Sequence, residues 1–213
     1  LSSLTHSAFG QTFILLPQKA IFWLEEKALI LGDLHFGKAT HFRKNGIAIN
    51  NEVAANDFLI LENLLHETNP DTVYFIGDLF HSELNSELQL LQTIISKYKA
   101  IKFVLLKGNH DIIGNLVFEK IGIVVLEQIK IGKIILSHEP LENDKLFNIH
   151  GHVHPGILIK GKAKQSLKFP CFYFTKNYVI LPAFSSFCGL KIMENRKAEA
   201  IFIIANNKII KSK

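Results

Sequence analysis

Three of the chain's ten histidines, His150, His152 and His154, stand at alternate positions in the stretch NIHGHVHPG. In an extended segment alternate side chains share a face. The pattern therefore makes either a solvated polar stripe or a set of imidazoles aimed at one place. Neutral imidazole is the commonest metal ligand among side chains, and a turn carrying two of them can serve one ion or two. Residues of ligand type gather at four further points: Asp33 and His35 in GDLHFG, Asp78 in GDLFHS, Asn109, His110 and Asp111 in GNHD, and His138 in LSHEP. Carboxylates, imidazoles and one amide carbonyl suit divalent Mn, Fe and Zn. The two cysteines, Cys171 and Cys188, stand apart in sequence, which argues against a thiolate site and a structural zinc. Two ions about 3.5–4 Å apart, bridged by a carboxylate, can clamp a phosphate while an activated water attacks in line.

Each cluster directly follows a short apolar run. Ile30–Leu31, Val73–Ile76 and Val104–Leu106, and the runs before His138 and His152, read as buried strands bounded by glycine. Between the first two, residues 50–68 place Val53, Ala54, Phe58, Leu61, Leu64 and Leu65 on a helical face, closed by the breaking pair Asn69-Pro70. Residues 82–99 repeat the pattern with Leu84, Leu88, Leu91, Ile94 and Ile95. A β-α-β-α-β order predicts a largely parallel sheet, with ligands bound beyond the carboxyl ends of its strands. All five clusters are then expected on one rim. From Leu167 onward the chain is strand-like, and a second sheet packed on the first is expected. Taken singly, a Gly-Asp is a routine turn, GNHD a polar helix start and His138 a strand-end histidine. One centre accounts for all five placements at once.

Composition sets wide bounds. At 213 residues, with 48% hydrophobic and 20% charged side chains, the chain reads as one domain, residues 1–213, with a full core and no extended disorder. No apolar run approaches the ~20 residues of a membrane span, and residues 1–10 do not read as a secretory leader. Two isolated thiols suit a reducing cytoplasm. A formal net charge of +5 permits a phosphate-bearing partner without requiring one.

The ordered series GDLH, GDLF, GNHD, an isolated His and GHVH resembles the five-motif signature of the calcineurin-like metallophosphoesterases. Within that superfamily, LGDLHFGKATHFRKNGIAI, FIGDLFHS, GHVHPGI, FPCFYF and LPAFSSFCGL are similar to the bacterial ligase-associated DNA-damage-response endonucleases. The resemblance implies an α/β fold: a four-layer α/β/β/α sandwich of mixed sheets, with a dinuclear metal site at strand C-terminal ends. It implies Asp33, His35 and His154 on the first metal, Asn109, His138 and His152 on the second, and Asp78 bridging them. His110 would protonate the leaving oxygen or stabilise developing charge, and Asp111 would orient its imidazole. His150 would point elsewhere. The protein-phosphatase branch carries a phosphate-gripping arginine where this chain has His81; His81, or His41 and Arg43, would take that role.

The resemblance further implies a phosphodiesterase or endonuclease acting on DNA in repair, with two divalent ions, Mn²⁺ first and Fe or Zn as alternatives. A DNA ligase and a helicase would keep it company. A nuclease needs cations along its groove, for which Lys38, Arg43, Lys44 and Lys107 lie near the motifs. Lys160, Lys162, Lys164 and Lys168 form a charged hairpin that is more simply a solvated one. Phe36 and Phe42 are the nearby aromatics for base stacking, with core burial the simpler role. The length leaves no room for a large cap, so an open site is expected. Exposed C-terminal strand edges would allow a homodimer. Two alternatives stand beside this reading: a phosphomonoesterase or cyclic-nucleotide phosphodiesterase, and a non-catalytic scaffold, which would be expected to have lost some of these residues.

Overall fold

The structure, a computed structural model, describes residues 3–38, 51–80, 86–142, 145–161 and 165–213. The first sheet takes its strands in chain order: β1 (Leu4–Ala8), β2 (Gln11–Leu16), β3 (Ala20–Trp23), β4 (Ala28–Gly32), β5 (Thr72–Ile76), β6 (Lys102–Leu106) and β7 (Ile123–Leu126). Strands β1 to β4 form an antiparallel meander and β4 to β7 are parallel. Connection length separates the two halves. Tight turns with positive φ at Phe9, Gly10, Lys19 and Lys27 can only reverse the chain, whereas parallel neighbours need a crossover. Helix α1 (Asn51–Thr68) links β4 to β5, α2 (Ser86–Lys97) lies between β5 and β6, and α3 (Asn115–Lys120) precedes β7. The parallel β-α-β-α-β unit predicted from sequence is present. Helix α1 stops where expected: Asn69 adopts φ +42° and its N–H returns to Leu65 O at 3.0 Å, after which Pro70 cannot continue the helix.

Period-two alternation in the parallel strands builds two cores from one sheet. Leu29, Leu31, Val73, Phe75, Phe103 and Leu105 face the helices and meet Phe58, Leu61, Leu64, Leu65, Leu91, Ile94, Ile95 and Phe118. Ile30, Tyr74, Ile76, Val104 and Leu106 face the other way, onto Leu136, Phe147, Ile149, Phe172, Phe174, Val179 and Phe202 of a second sheet.

That sheet comprises β8 (Gln128–Ile131), β9 (Ile134–Ser137), β10 (Phe147–His150), β11 (Pro155–Lys160), β12 (Ser166–Phe174), β13 (Tyr178–Ile180), β14 (Lys191–Ile192), β15 (Ala200–Ala205) and β16 (Lys208–Lys211). Its order is β14-β11-β12-β13-β10-β9-β8, with β15 joining β12 and β16 joining β15. Strand β10 lies parallel to both β9 and β13, with Ile149 opposite Leu136 and Val179. The outer face carries a smaller cluster of Ile157, Cys171, Tyr173, Ile180, Ala198, Ile201 and Ile203, beside a 3-10 turn at Asn195–Lys197.

The fold is the mixed α/β sandwich expected, with two differences in detail. The second sheet begins at Gln128 rather than near Leu167, so the strands before His138 and His152 belong to it. The clusters therefore come from the carboxyl ends of two facing sheets, three from the first and two from the second. The antiparallel strands β1 to β3 also enlarge the first sheet beyond its parallel part.

Candidate metal centre

The segments that follow β4 and β5 leave the sheet side by side. Asp33 N–H donates to Gly77 O (3.3 Å), His35 N–H to Asp78 O (2.8 Å) and Phe36 N–H to Leu79 O (2.9 Å). Along them, side chains divide by type. Leu34, Phe36, Leu79 and Phe80 sink into the helix-side core, where Phe36 stacks on Phe58 with ring centroids 4.0 Å apart. Asp33, His35 and Asp78 converge instead, with one ligand atom from each lying within 4.8 Å of the others. Phe36 is thus a core anchor rather than a stacking platform. His41, Phe42, Arg43, Lys44, His81, Lys162 and Lys164 lie outside the described residues.

Asp78 occupies the middle of the constellation. Its Oδ2 is 3.6 Å from His35 Nε2 and its Oδ1 is 3.5 Å from His138 Nε2, so the two oxygens face the two sets of candidate ligands. In the first set, His154 Nε2 lies 3.3 Å from Asp33 Oδ1 but is buried without a hydrogen bond. In the second, His138 Nε2 is 3.1 Å from both Asn109 Oδ1 and His152 Nδ1. The tautomer of His138 follows from its other nitrogen: Nδ1 lies 3.2 Å from Ile76 O, a carbonyl that can only accept. Nδ1 therefore carries the proton and Nε2 presents a lone pair toward other acceptors, the arrangement of a metal-ligating histidine. Asp33, His35, Asp78 and His138 are almost fully buried, while Asn109, His110 and His152 are exposed. Two buried carboxylates and a convergence of lone pairs fit a pair of divalent cations.

The backbone is bent to make this possible. Asp33, His35, Asp78, His152 and His154 all have φ between 47° and 65°, a left-handed region that side-chain-bearing residues seldom occupy. His152 N–H donates to Asp33 Oδ1 and Oδ2 (3.2 and 3.0 Å), tying the β10–β11 turn to the first sheet. Asn148, not anticipated from sequence, holds the loop after His138. Its Nδ2 donates to Ile135 O and Ser137 Oγ, and its Oδ1 accepts Leu141 N–H. Its polar type inside an otherwise apolar strand was the available signal.

Close packing around the carboxylates explains a glycine in the motif. A Cβ at Gly108 would lie 2.3 Å from Asp78 Oδ1 and 2.4 Å from its backbone nitrogen. Gly108→Ala is expected to displace Asp78 and weaken metal binding at least ~10-fold, on the scale of disrupted outer-shell support. Calorimetric titration with Mn²⁺ would show this, with circular dichroism confirming an unchanged fold.

His110 stands at the rim. Its N–H donates to Asp78 Oδ1 (2.9 Å), and its ring centroid is 5.7 Å from that of His35. Asp111 is buried and accepts three backbone donors, Leu79 N–H (2.8 Å) and Phe80 N–H (3.3 Å) on Oδ1 and Gly108 N–H (2.9 Å) on Oδ2. It clamps the His110 loop to the Asp78 loop. Burial raises its pKa, with the nearby Asp78 charge adding to the rise and the backbone donors opposing it. His150 is buried at the end of β10 with Nδ1 3.0 Å from Gly151 O, and burial lowers its pKa to about 4. It takes no part in the convergence.

Cys188 departs from the sequence expectation. Its sulfur joins the nitrogens of His35 and His154 in a group whose atoms lie within 4.8 Å of one another. The contact is non-local and sequence spacing could not disclose it. Burial raises the thiol pKa to about 11, Asp33 and Asp78 adding to the rise while Lys38 and Lys19 oppose it.

A further buried carboxylate, Asp57, lies nearby. Burial lifts the Asp57 pKa to about 6, although the Lys19 ammonium pulls it down. Because this folded value exceeds the ordinary 3.8, the protonated fold is favoured. The stabilising contribution is complete below about pH 4 and is lost as pH rises through 6. Asp57→Asn is therefore expected to be more stable than the parent at pH 7.5, by on the order of 2 kcal/mol. The difference should shrink on acidification to pH 4, as thermal unfolding at both pH values would report.

Facing sheets thus deliver two sets of N/O side chains around one carboxylate, a donor set suited to the divalent-metal chemistry of phosphoester hydrolysis. Residues 27–183 match the model of the calcineurin-like phosphoesterase domain, and the chain belongs to that family of divalent-metal-dependent phosphoester hydrolases. Among solved structures, it is similar to the Pseudomonas putida nuclease MPE, with TM-score 0.81 and 24% identity over 98% of this chain and 99% of that one. A second, more distant likeness is to YfcE, a phosphoesterase from E. coli, with TM-score 0.42 and 12% identity over 86% and 96% of the two chains. No curated protein sequence matches. No helix among the described residues is long and apolar enough to cross a membrane.

Proposed function

We propose that the protein is a two-metal phosphodiesterase that cleaves DNA. The observation that carries this reading is an open centre flanked by clefts on both sides of the loop after His138. One, of about 510 Å³, is lined by Lys107, Asn109, His138 and Glu139. The other, of about 760 Å³, is lined by His150, Val153, Tyr178 and Lys191. Both include Leu141; the first holds the candidate ligands Asn109 and His138 with Lys107 beside them, and the second extends the surface beyond the loop to Lys191. The likeness in fold to the Pseudomonas putida nuclease supports the same substrate class.

On this reading Asp33, His35 and His154 hold one ion, and Asn109, His138 and His152 hold the other, with Asp78 between them. Two divalent ions, Mn²⁺ first, supply polarisation of the phosphoryl oxygens and a lowered pKa for the attacking water. His110, exposed at the rim, gives a proton to the departing oxygen. Asp111 positions it through the loop clamp. His41, Arg43 and His81 grip the substrate phosphate. The chain acts as one domain in DNA repair, in a reducing cytoplasm that suits the free thiols Cys171 and Cys188. It works beside a ligase and a helicase. Strand β16, which among the described residues pairs with β15 alone, offers the edge for a homodimer.

The test uses protein stripped of metal and reloaded with Mn²⁺, given single-stranded DNA, duplex DNA and chromogenic mono- and diesters. Cleavage of DNA and the diester is expected. Hydrolysis of the monoester alone would make it a phosphatase, and inertness with two ions bound would make it a scaffold.

A further inference from the structure

We infer that Cys188 supplies a thiolate ligand to the first metal of this centre, so that this position prefers the thiophilic alternatives Zn²⁺ or Fe²⁺ and the Mn²⁺ preference belongs to the second. The inference rests on the metal-centre reading above and adds a residue to it. The sulfur lies within 4.8 Å of a ring nitrogen of both His35 and His154, the two imidazoles assigned to the first ion. Zn–S bonds of ~2.3 Å and Zn–N bonds of ~2.0–2.1 Å require only a modest closure from that spacing.

The approach is built into the fold. Ser185 N–H donates to Asp33 O (3.3 Å) and Phe184 N–H to Gly32 O (2.9 Å), pinning the start of the Cys188 loop beside the first carboxylate. Lys19 Nζ holds the same loop through Phe184 O and Ser185 O (3.2 and 3.4 Å). Ser185 Oγ accepts Phe187 N–H at 3.2 Å. Beyond the cysteine, Lys191 N–H donates to His154 O at 3.0 Å. The loop is thus fastened on one side to Asp33 and on the other to His154, with Cys188 between the two attachments. Its sulfur is half-buried, is not in a disulfide, and has Lys38 Nζ at 3.9 Å. His154, in the same group, has its Nε2 buried without a hydrogen bond. On ligation the thiol proton passes to solvent and sulfur donates a lone pair to the ion. No oxidant or reductant is involved.

Soft thiolate favours Zn²⁺, Co²⁺ and Fe²⁺ over Mg²⁺ and Mn²⁺ more strongly than nitrogen and oxygen ligands alone would. The test is titration of the apoprotein with Co²⁺, read by absorbance, in the parent, Cys188→Ser, Cys188→Ala and Cys171→Ala chains. The parent and Cys171→Ala are expected to show both the visible ligand-field bands and an intense near-ultraviolet sulfur-to-cobalt band. Both Cys188 variants should keep the ligand-field bands and lose the charge-transfer band. Their Zn²⁺ affinity should fall ~10–100-fold or more, with Mn²⁺ affinity far less affected. Ligand-field bands without a charge-transfer band in the parent, or a charge-transfer band that survives in the Cys188 variants, would overturn the thiolate assignment alone. Absence of any cobalt spectrum in the parent would overturn the metal centre together with it.

Discussion

His110→Ala is expected to lower turnover of a DNA or alkyl phosphodiester by ~10²–10⁴-fold, the usual range for a lost general acid, while leaving two ions bound. The geometry separates these effects. His110 is exposed at the rim and meets the centre through its backbone N–H on Asp78 Oδ1, a bond that alanine retains. The discriminating measurement varies the leaving group. A nitrophenolate departs without needing a proton, so the variant should recover most of its activity on a nitrophenyl diester. A nucleoside or alkyl oxide needs one, and there the loss should be full. Equal losses on both would mean that the imidazole binds the phosphate instead of protonating the leaving oxygen. Metal analysis of the same samples excludes a trivial loss of cofactor.

The second large effect concerns Asp78→Asn, which should move stability in opposite directions with and without metal. In the metal-free protein, ligand oxygens of the buried Asp33 and Asp78 lie within 4.8 Å of each other, and like charges at that range repel in a poorly screened interior. Neutralising one should raise the melting temperature in the presence of a chelator. The asparagine oxygen can still accept His110 N–H, so the loop need not move. With metal the order should reverse. The parent gains about 2.7 kcal/mol at an ion concentration of 100 Kd, whereas a variant without the shared carboxylate gains much less. Its activity should fall at least as far as that of His110→Ala. Paired thermal scans in chelator and in Mn²⁺ would test this. A variant less stable than the parent in both would show Asp78 to be a structural acid rather than a metal bridge.

How much of this was legible depended on whether the determining contact was local. The five clusters could be read because each couples a ligand-type residue to the end of an apolar run, and strand ends are visible in sequence. That His152 and His154 leave one turn for two different sets of neighbours was not legible from their spacing, which left one ion or two open; only the family resemblance implied it. Sheet membership was not legible either, because a run such as IILS encodes burial on both faces without encoding its partner. Hence β9 and β10 were expected in the first sheet and are found in the facing one. Asp111 lies next to His110 in the chain, which suggests an ionic partner for the imidazole, whereas adjacency gives no hint that its oxygens accept amides from residues 79, 80 and 108. Cys188 reaches the centre through a loop anchored on Asp33, and nothing near it in sequence marks that destination. Gly108 was the available clue for the carboxylate packing: a glycine directly before a ligand motif signals that a backbone must come close.

The left-handed backbone at Asp33, His35, Asp78, His152 and His154 bears on how the protein can change over evolutionary time. Each such residue costs about 1–2 kcal/mol relative to an ordinary conformation. Five together approach the entire net stability of a typical domain, about 5–15 kcal/mol. The two cores on either side of the first sheet must therefore supply a surplus before any catalysis is possible, and mutations that erode them draw on a reserve already committed to the centre. Mutational robustness should accordingly be lower than in an unstrained sandwich of equal size. Ligand-to-glycine changes, which abolish the chemistry, should relieve this strain. Descendants that lost the activity would be freed of this burden, and would drift toward glycine and asparagine at these five positions first.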